Sequence, residues 1–223
     1  MKNIELKDID GDDLYDVLLK AEESFGLHFP YTEFENSCTF GDLCDQIKSL
    51  IKLNNKEDCT TQQAFYKLRS AISNSLRIDK NNIRPDSKLI DLFPKNIRRD
   101  KLKNIENELG FQLGVLRAPH FITNSLILLF FSSILFLIIN PQFGLYGIIV
   151  SILGFILSIK LGNTLDLNTV GQLSEKITRE HYNQSRRSPN TYNEQEIENV
   201  LIDLFSKDLD IDKVNLKRES SLI

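Results

Sequence analysis

The sequence predicts an all-α protein built from two small helical modules and a two-helix hairpin suited to a membrane. Three observations lead there. Apolar residues recur at helical spacing through most of the polar stretches, no segment alternates as a half-buried strand would, and residues 121–159 form a run of thirty-nine without Asp, Glu, Lys or Arg.

Taken in order, Leu14, Val17, Leu18, Ala21 and Phe25 share one helical face over residues 13–25, and Gly26 stands where a C-cap belongs. Phe29, Tyr31 and Phe34 anchor the loop around Pro30. Thr39 is placed as the N-cap of a helix carrying Leu43, Ile47, Leu50 and Ile51. Residues 52–60 are polar and read as a linker. A helix from Gln62 to Leu76 presents Phe65, Leu68, Ile72 and Leu76, and a long loop through Pro85 and Pro94 leads to a helix with Leu102, Ile105 and Leu109, closed by Gly110. Beyond the charge-free run, residues 169–179 are helical and 183–191 form a second linker. Asn193 and Glu196 then make a capping-box pattern ahead of the stripe Ile197, Val200, Leu201, Leu204 and Phe205.

The charge-free run is divided by Asn140-Pro141-Gln142 into arms of nineteen (121–139) and seventeen (143–159) residues. At 1.5 Å per residue these reach about 28 and 26 Å, against a hydrocarbon core of about 30 Å. A buried pair in a soluble core would need more apolar elements around it than the chain supplies. Arg98, Arg99, Lys101, Lys103, Arg117 and His120 precede the hairpin, Lys160 follows it, and the turn is uncharged. That asymmetry predicts a multi-pass protein of the cytoplasmic (inner) membrane with both termini cytoplasmic and the turn outside. The acidic start, broken by Asp8, Asp10, Asp12 and Asp13, does not have the form of a cleaved signal peptide.

The net charge of −4 is unevenly spread: residues 1–60 hold 6 basic and 14 acidic side chains, residues 61–190 hold 17 and 9, and residues 191–223 hold 4 and 8. A basic middle beside an apolar hairpin suits an anionic lipid surface, and a solvated face is the plain alternative. Cys38, Cys44 and Cys59 have neither zinc nor redox spacing, so reduced thiols are expected. The three histidines lack ligand partners at useful spacing. In the Asp8–Asp13 cluster Gly11 stands at position 4, whereas a calcium loop needs glycine at position 6, and the closing Glu is missing. No metal or cofactor is expected. Gly-rich phosphate loops, Gly-x-Ser-x-Gly and His-Glu-x-x-His are absent, and the basic run 95–103 lacks the interleaved aromatics of a nucleic-acid surface.

The chain also repeats itself. Thr39–Ile47 matches Thr169–Ile177 at Thr, Gly, Leu and Ile. Glu22–Phe29 shares its Glu and Gly with Glu106–Leu113. Arg77–Ile90 matches Asp210–Ile223 at 7 of 14 positions. The pieces are ordered so that one copy is split across the two ends of the chain. Residues 1–53, completed by 192–223, make one circularly permuted module. Residues 61–118 and 166–182 make the second, interrupted by the hairpin 121–160.

These pieces are a first helix, a long loop ending in an I-x-x-[DE]-S-x-L type segment, a helix ending E-x-x-x-G-x-x-[LF], and a short last helix opening T-x-G-x-L. Together they resemble the acyl carrier protein fold, and residues 8–29 look especially like acyl-carrier-like proteins of unknown function from bacteria. The resemblance implies a phosphopantetheine serine at the start of the second helix. Asp12-Asp13-Leu14 and Asn96-Ile97-Arg98 stand there instead, so neither copy is expected to carry an acyl chain. The expected function is therefore that of a membrane-anchored, non-catalytic interaction module. It would present Asp12, Asp13, Asp16, Glu22 and Glu23 to a protein partner with a basic surface. Two alternatives stay open, a working carrier modified at another serine and a lipid-handling membrane enzyme. The split module closes either within one chain or between two chains as a swapped homodimer.

Overall fold

The structure is a computed structural model, and it describes Leu6, residues 9–30, Phe34, residues 37–188 and residues 190–222. Asp8, Tyr31 and Ile223 lie outside the described residues. The chain is mostly helical. Its elements are α1 (Gly11–Phe25), α2 (Phe40–Leu50), β1 (Asn54–Asn55), α3 (Thr60–Leu76), α4 (Leu89–Leu92), α5 (Arg98–Leu109), β2 (Leu116–Arg117), α6 (His120–Phe136), α7 (Pro141–Leu161), β3 (Thr164–Leu165), α8 (Val170–Glu180), α9 (Tyr182–Ser185), β4 (Thr191–Tyr192) and α10 (Glu194–Asp208). The four strands among the described residues, which the sequence does not announce, are two residues each. That is too short for alternation to show. They pair as parallel β1·β4 and antiparallel β2·β3.

By internal contacts the chain divides into one unit of residues 1–74, 78–85 and 171–223 and another of residues 75–77 and 86–170. The cut runs through the module expected at 61–118 and 166–182, because nearly all of α3 and α8 group with the chain ends.

In the first unit, α1, α2 and α10 share one core. Val17, Leu18, Ala21 and Phe25 of α1, Phe40, Leu43 and Ile47 of α2, and Ile197, Leu201, Leu204 and Phe205 of α10 are all buried in the same cluster. Phe40 meets Phe205 edge-on at 5.2 Å. Helix α10 has only fifteen residues, marginal for an isolated helix, so its buried side chains, worth about 1.5 to 3 kcal/mol each, supply what propensity does not. Asp10 caps α1, and Thr39 with Asp42 forms a reciprocal capping box on α2.

The described residues of the stretches expected as linkers, 52–60 and 183–191, are tied together by hydrogen bonds, although residues 54–59 are exposed. They carry β1, β4 and α9, and between them lies the fully buried Arg186. Its guanidinium donates to Lys56 O (3.0 Å), Asp58 O (3.2 Å), Thr60 Oγ1 (2.7 Å) and Thr191 Oγ1 (3.1 Å). One residue thus satisfies carbonyls that a free linker would leave to water. Asn193 caps α10 as expected, but Glu196 does not complete the capping box. Its carboxylate accepts from Thr60 N (3.0 Å) and Thr60 Oγ1 (2.5 Å), capping α3 instead.

In the second unit, α6 and α7 pair as an antiparallel hairpin whose seam is lined by small residues. Ser133 and Ser151 are buried, and a Cβ on Gly154 would lie 2.6 Å from Leu126. Close approach of two apolar helices needs such residues. The arms differ from expectation: the first is the shorter, seventeen residues or about 26 Å, and the second is twenty-one residues or about 31 Å. Pro141 is the cause. It occupies the first turn of α7, where its missing N–H costs nothing, and Asn140 caps it. Among the described residues, only α7 is a helix both long and apolar enough to cross a membrane, by length and composition.

The repeat-equivalent residues make the same local bonds. Gly26 N donates to Glu22 O and Gly110 N to Glu106 O, both glycines being left-handed. The Glu22 carboxylate accepts from Phe29 N and that of Glu106 from Leu113 N. Gly41 N donates to Arg218 O and Gly171 N to Pro85 O. Phe40 N and Val170 N donate to Ser220 O and Ser87 O. Leu222 N and Leu89 N donate to Cys38 O and Asn168 O. The glycine of T-x-G-x-L is explained by this crossing, since a Cβ there would lie 2.8 Å from Arg218 O at Gly41 and 3.0 Å from Pro85 O at Gly171.

Candidate functional site

Helix α1 buries Val17, Leu18, Ala21, Ser24 and Phe25 and turns Asp12, Asp13, Asp16 and Glu23 outward, all four exposed. At about 100° per residue, Asp12, Asp16 and Glu23 fall on one stripe opposite the buried one. Asp12 and Asp13 lie in the first turn, where the helix dipole favours anions. Asp13, which takes the place that the carrier resemblance gives to a serine, is exposed on the third residue of the helix. Glu22 does not belong to this face. It is 8 % exposed, its carboxylate accepts from Phe29 N and lies 3.1 Å from His28 Nδ1, and it closes the turn after α1 rather than facing a partner.

The cations expected to flank the hairpin also divide. Arg98 is 2 % exposed and donates to Phe93 O (2.7 Å) and Asn163 O (2.6 Å), so it cannot reach lipid headgroups; burial lowers its pKa. Arg99 donates to Lys160 O (2.7 Å) and Gly162 O (2.9 Å), placing a cation on the carboxyl end of α7. Lys101 Nζ donates to Ser75 O, and Arg117 pairs with Asp166 at 2.7 Å. Arg99, Lys103 and Lys160 line one cavity of about 490 Å³ with Asp100 and Glu106. The antiparallel pair β2·β3 brackets the hairpin directly before α6 and after α7.

Sequence reasoning named Arg98 as a membrane-flanking cation without foreseeing its burial, and missed the buried Arg186 altogether. Arg186 reads as one member of a basic pair in a polar segment, and only the carbonyls of residues 56 and 58 and the ring of Tyr182, 5.9 Å from its guanidinium carbon, reveal its place. Burial raises the Tyr182 pKa, and its hydroxyl accepts from Asn193 N (2.9 Å).

Among the cysteines, Cys44 is buried, its thiol pushed up to about 12 by desolvation first and Glu198 second, while Cys38 and Cys59 are exposed. Among the described residues no group of three or more His, Cys, Asp and Glu converges on a metal position. No protein-family model, curated protein or solved structure matches the chain.

Proposed function

We propose that the protein is a membrane-anchored, non-catalytic interaction protein, with two acyl-carrier-like helical modules held on the cytoplasmic side of the inner membrane by the hairpin α6–α7. The observation that carries the anchor is the distribution of apolar surface. Of twenty-five exposed large hydrophobic side chains among the described residues, twenty-one lie between Phe121 and Leu161. Water does not sustain a patch of that extent, and a hydrocarbon phase does. Helix α6 is a few ångströms short of the bilayer core, a mismatch met by local thinning. The cationic flanks and the uncharged turn favour cytoplasmic termini.

The interaction role rests on the exposed stripe Asp12, Asp16 and Glu23 with Asp13 beside it, which suits a partner with a basic docking surface. The absence of a hydroxyl at Asp13 speaks against a phosphopantetheine carrier, because a carboxylate cannot take up that phosphodiester.

Two measurements test the two halves separately. A single cysteine at Gln142, in a chain lacking the native three, should react with an impermeant thiol reagent in intact cells, and labelling only after lysis overturns the two-span anchor. A photocrosslinking residue at Glu23 should trap a protein in cells, and the adduct should vanish on Asp12→Lys with Asp16→Lys. An adduct indifferent to that reversal removes the acidic docking face. Pantetheine on the wild-type chain would replace this reading with the carrier one.

A further inference from the structure

Along one face α3 carries polar side chains at i, i+3, i+4 and i+7, the buried Gln63 followed by Tyr66, Lys67 and Ser70. With Arg69, Lys80 and Arg187 this stripe lines a cavity of about 650 Å³, within the range of about 300 to 1,000 Å³ usual for small-ligand sites. Four of its lining residues are cations and none is a carboxylate. Like charges gathered without an acid repel one another and cost stability.

The cluster is held in place. Lys67 Nζ donates to Gln184 O (2.6 Å) and Arg186 O (2.8 Å), and the backbone N–H of Arg187 donates to Gln63 Oε1 (2.7 Å). Those three bonds fix the segment bearing Arg187 against α3. The buried Arg186 anchors the same segment from its other side. The Tyr66 ring then gathers two guanidiniums, Arg69 at 5.0 Å and Arg187 at 6.0 Å from its centroid. Burial lowers the pKa of Lys67, whose ammonium is committed to carbonyls, so Arg69, Lys80 and Arg187 are the groups free to meet a ligand.

We propose that this cavity binds a small polyanion carrying phosphate groups, with Arg69 and Arg187 as bidentate donors and Lys80 as a third charge. A single carboxylate would leave most of the positive charge unmatched, whereas one phosphate monoester brings about −1.5 to −2 and three acceptor oxygens. Guanidinium forks match that geometry. The phosphate belongs either to a soluble phosphorylated metabolite or to a lipid headgroup. The site is independent of the acidic face on α1 and of the anchor.

The full-length protein in phosphatidylcholine nanodiscs is titrated calorimetrically with pyrophosphate and, separately, with a short-chain, water-soluble phosphatidylinositol bisphosphate. Saturable binding should weaken about tenfold or more in Arg69→Gln and in Arg187→Gln, the usual loss for a charge-assisted bond, and stay unchanged in Lys207→Gln on α10. Circular dichroism should show the same helix content in all variants, with Lys80→Gln as the second probe if either arginine variant fails to fold. Pyrophosphate binding with those losses identifies a soluble ligand, and binding of the lipid analogue alone with the same losses identifies a headgroup. Failure of both ligands to bind, or equal weakening in Lys207→Gln, overturns the site.

Discussion

At the residue scale, the contact between the two ends of the chain is closed by charge as well as by apolar burial. Glu198 on α10 accepts from Lys48 of α2 (2.9 Å) and from Arg218 of the C-terminal segment (2.6 Å), and Arg218 also reaches Asp45 at 2.5 Å. The Lys48 bond, more than any other favourable contact, holds the Glu198 carboxyl below its ordinary 4.5. A carboxyl with a lowered folded pKa adds stability that is complete above its unfolded value and is lost as the pH falls through the folded one. Glu198→Gln should therefore lower stability by about 1 kcal/mol at neutral pH, as befits a partly exposed pair. In urea titrations of the detergent-solubilised chain, that gap should close as the pH drops below 4.5. A gap that persists in acid would assign the loss to packing. Roles of this kind were only partly legible in the sequence. The E-x-x-x-G-x-x-[LF] pattern placed Glu22 and Glu106 correctly in the chain, but that Glu22 would be spent on the Phe29 N–H follows from burial, which spacing does not encode. Arg98 and Arg186 were hidden for the same reason: a core arginine is defined by carbonyls distant in sequence.

At the element scale, helix ends and helix seams carry separate costs. Gly110 closes α5 at φ +83 with nothing within 4 Å of where an added methyl would sit, so Gly110→Ala should cost only the left-handed strain, about 1 to 2 kcal/mol. Gly26 has the same left-handed role at φ +65, but a Cβ there would lie 2.6 Å from Asn183 Nδ2, so Gly26→Ala should cost more. Equal losses in thermal melts would show that Asn183 moves aside freely. In the hairpin, a Cβ on Gly147 would overlap the Ser133 side chain. Gly147→Leu should destabilise α6–α7 by about 1 to 3 kcal/mol, whereas Ile149→Leu, on the exposed face, should leave the melting temperature in detergent unchanged. The apolar run made the existence of both hairpin helices legible. Their lengths were not, because Pro141 can either stop a helix or begin one, and here the Asn140 cap makes it begin α7.

At the scale of the whole molecule, the two copies of the repeat make one testable geometry. Thr39 bridges Ser221, and Thr169 bridges Lys88, each as an isolated antiparallel pair. In both, the flanking hydrogen bonds run outward, Phe40 N to Ser220 O and Leu222 N to Cys38 O in one, Val170 N to Ser87 O and Leu89 N to Asn168 O in the other. That arrangement marks a non-hydrogen-bonded pair, with Cα atoms about 4.5 Å apart, inside the disulfide range of about 4.4 to 6.8 Å. In a chain with Cys38→Ser, Cys44→Ala and Cys59→Ser, the pair Thr39→Cys with Ser221→Cys should therefore oxidise readily. The pair Lys88→Cys with Thr169→Cys should do so at a similar rate. Loss of the Thr39 cap weakens the reduced and oxidised forms of the first pair alike, so the yield of oxidation reports on proximity alone. The first bond joins the N-terminal and C-terminal segments, whose helices α1, α2 and α10 share one core. On a non-reducing gel the oxidised product should run as a compact monomer, and limited proteolysis between residues 52 and 60 should leave the two ends covalently joined. A ladder of disulfide-linked dimers at low protein concentration would instead mean that the C-terminal segment is exchanged between copies.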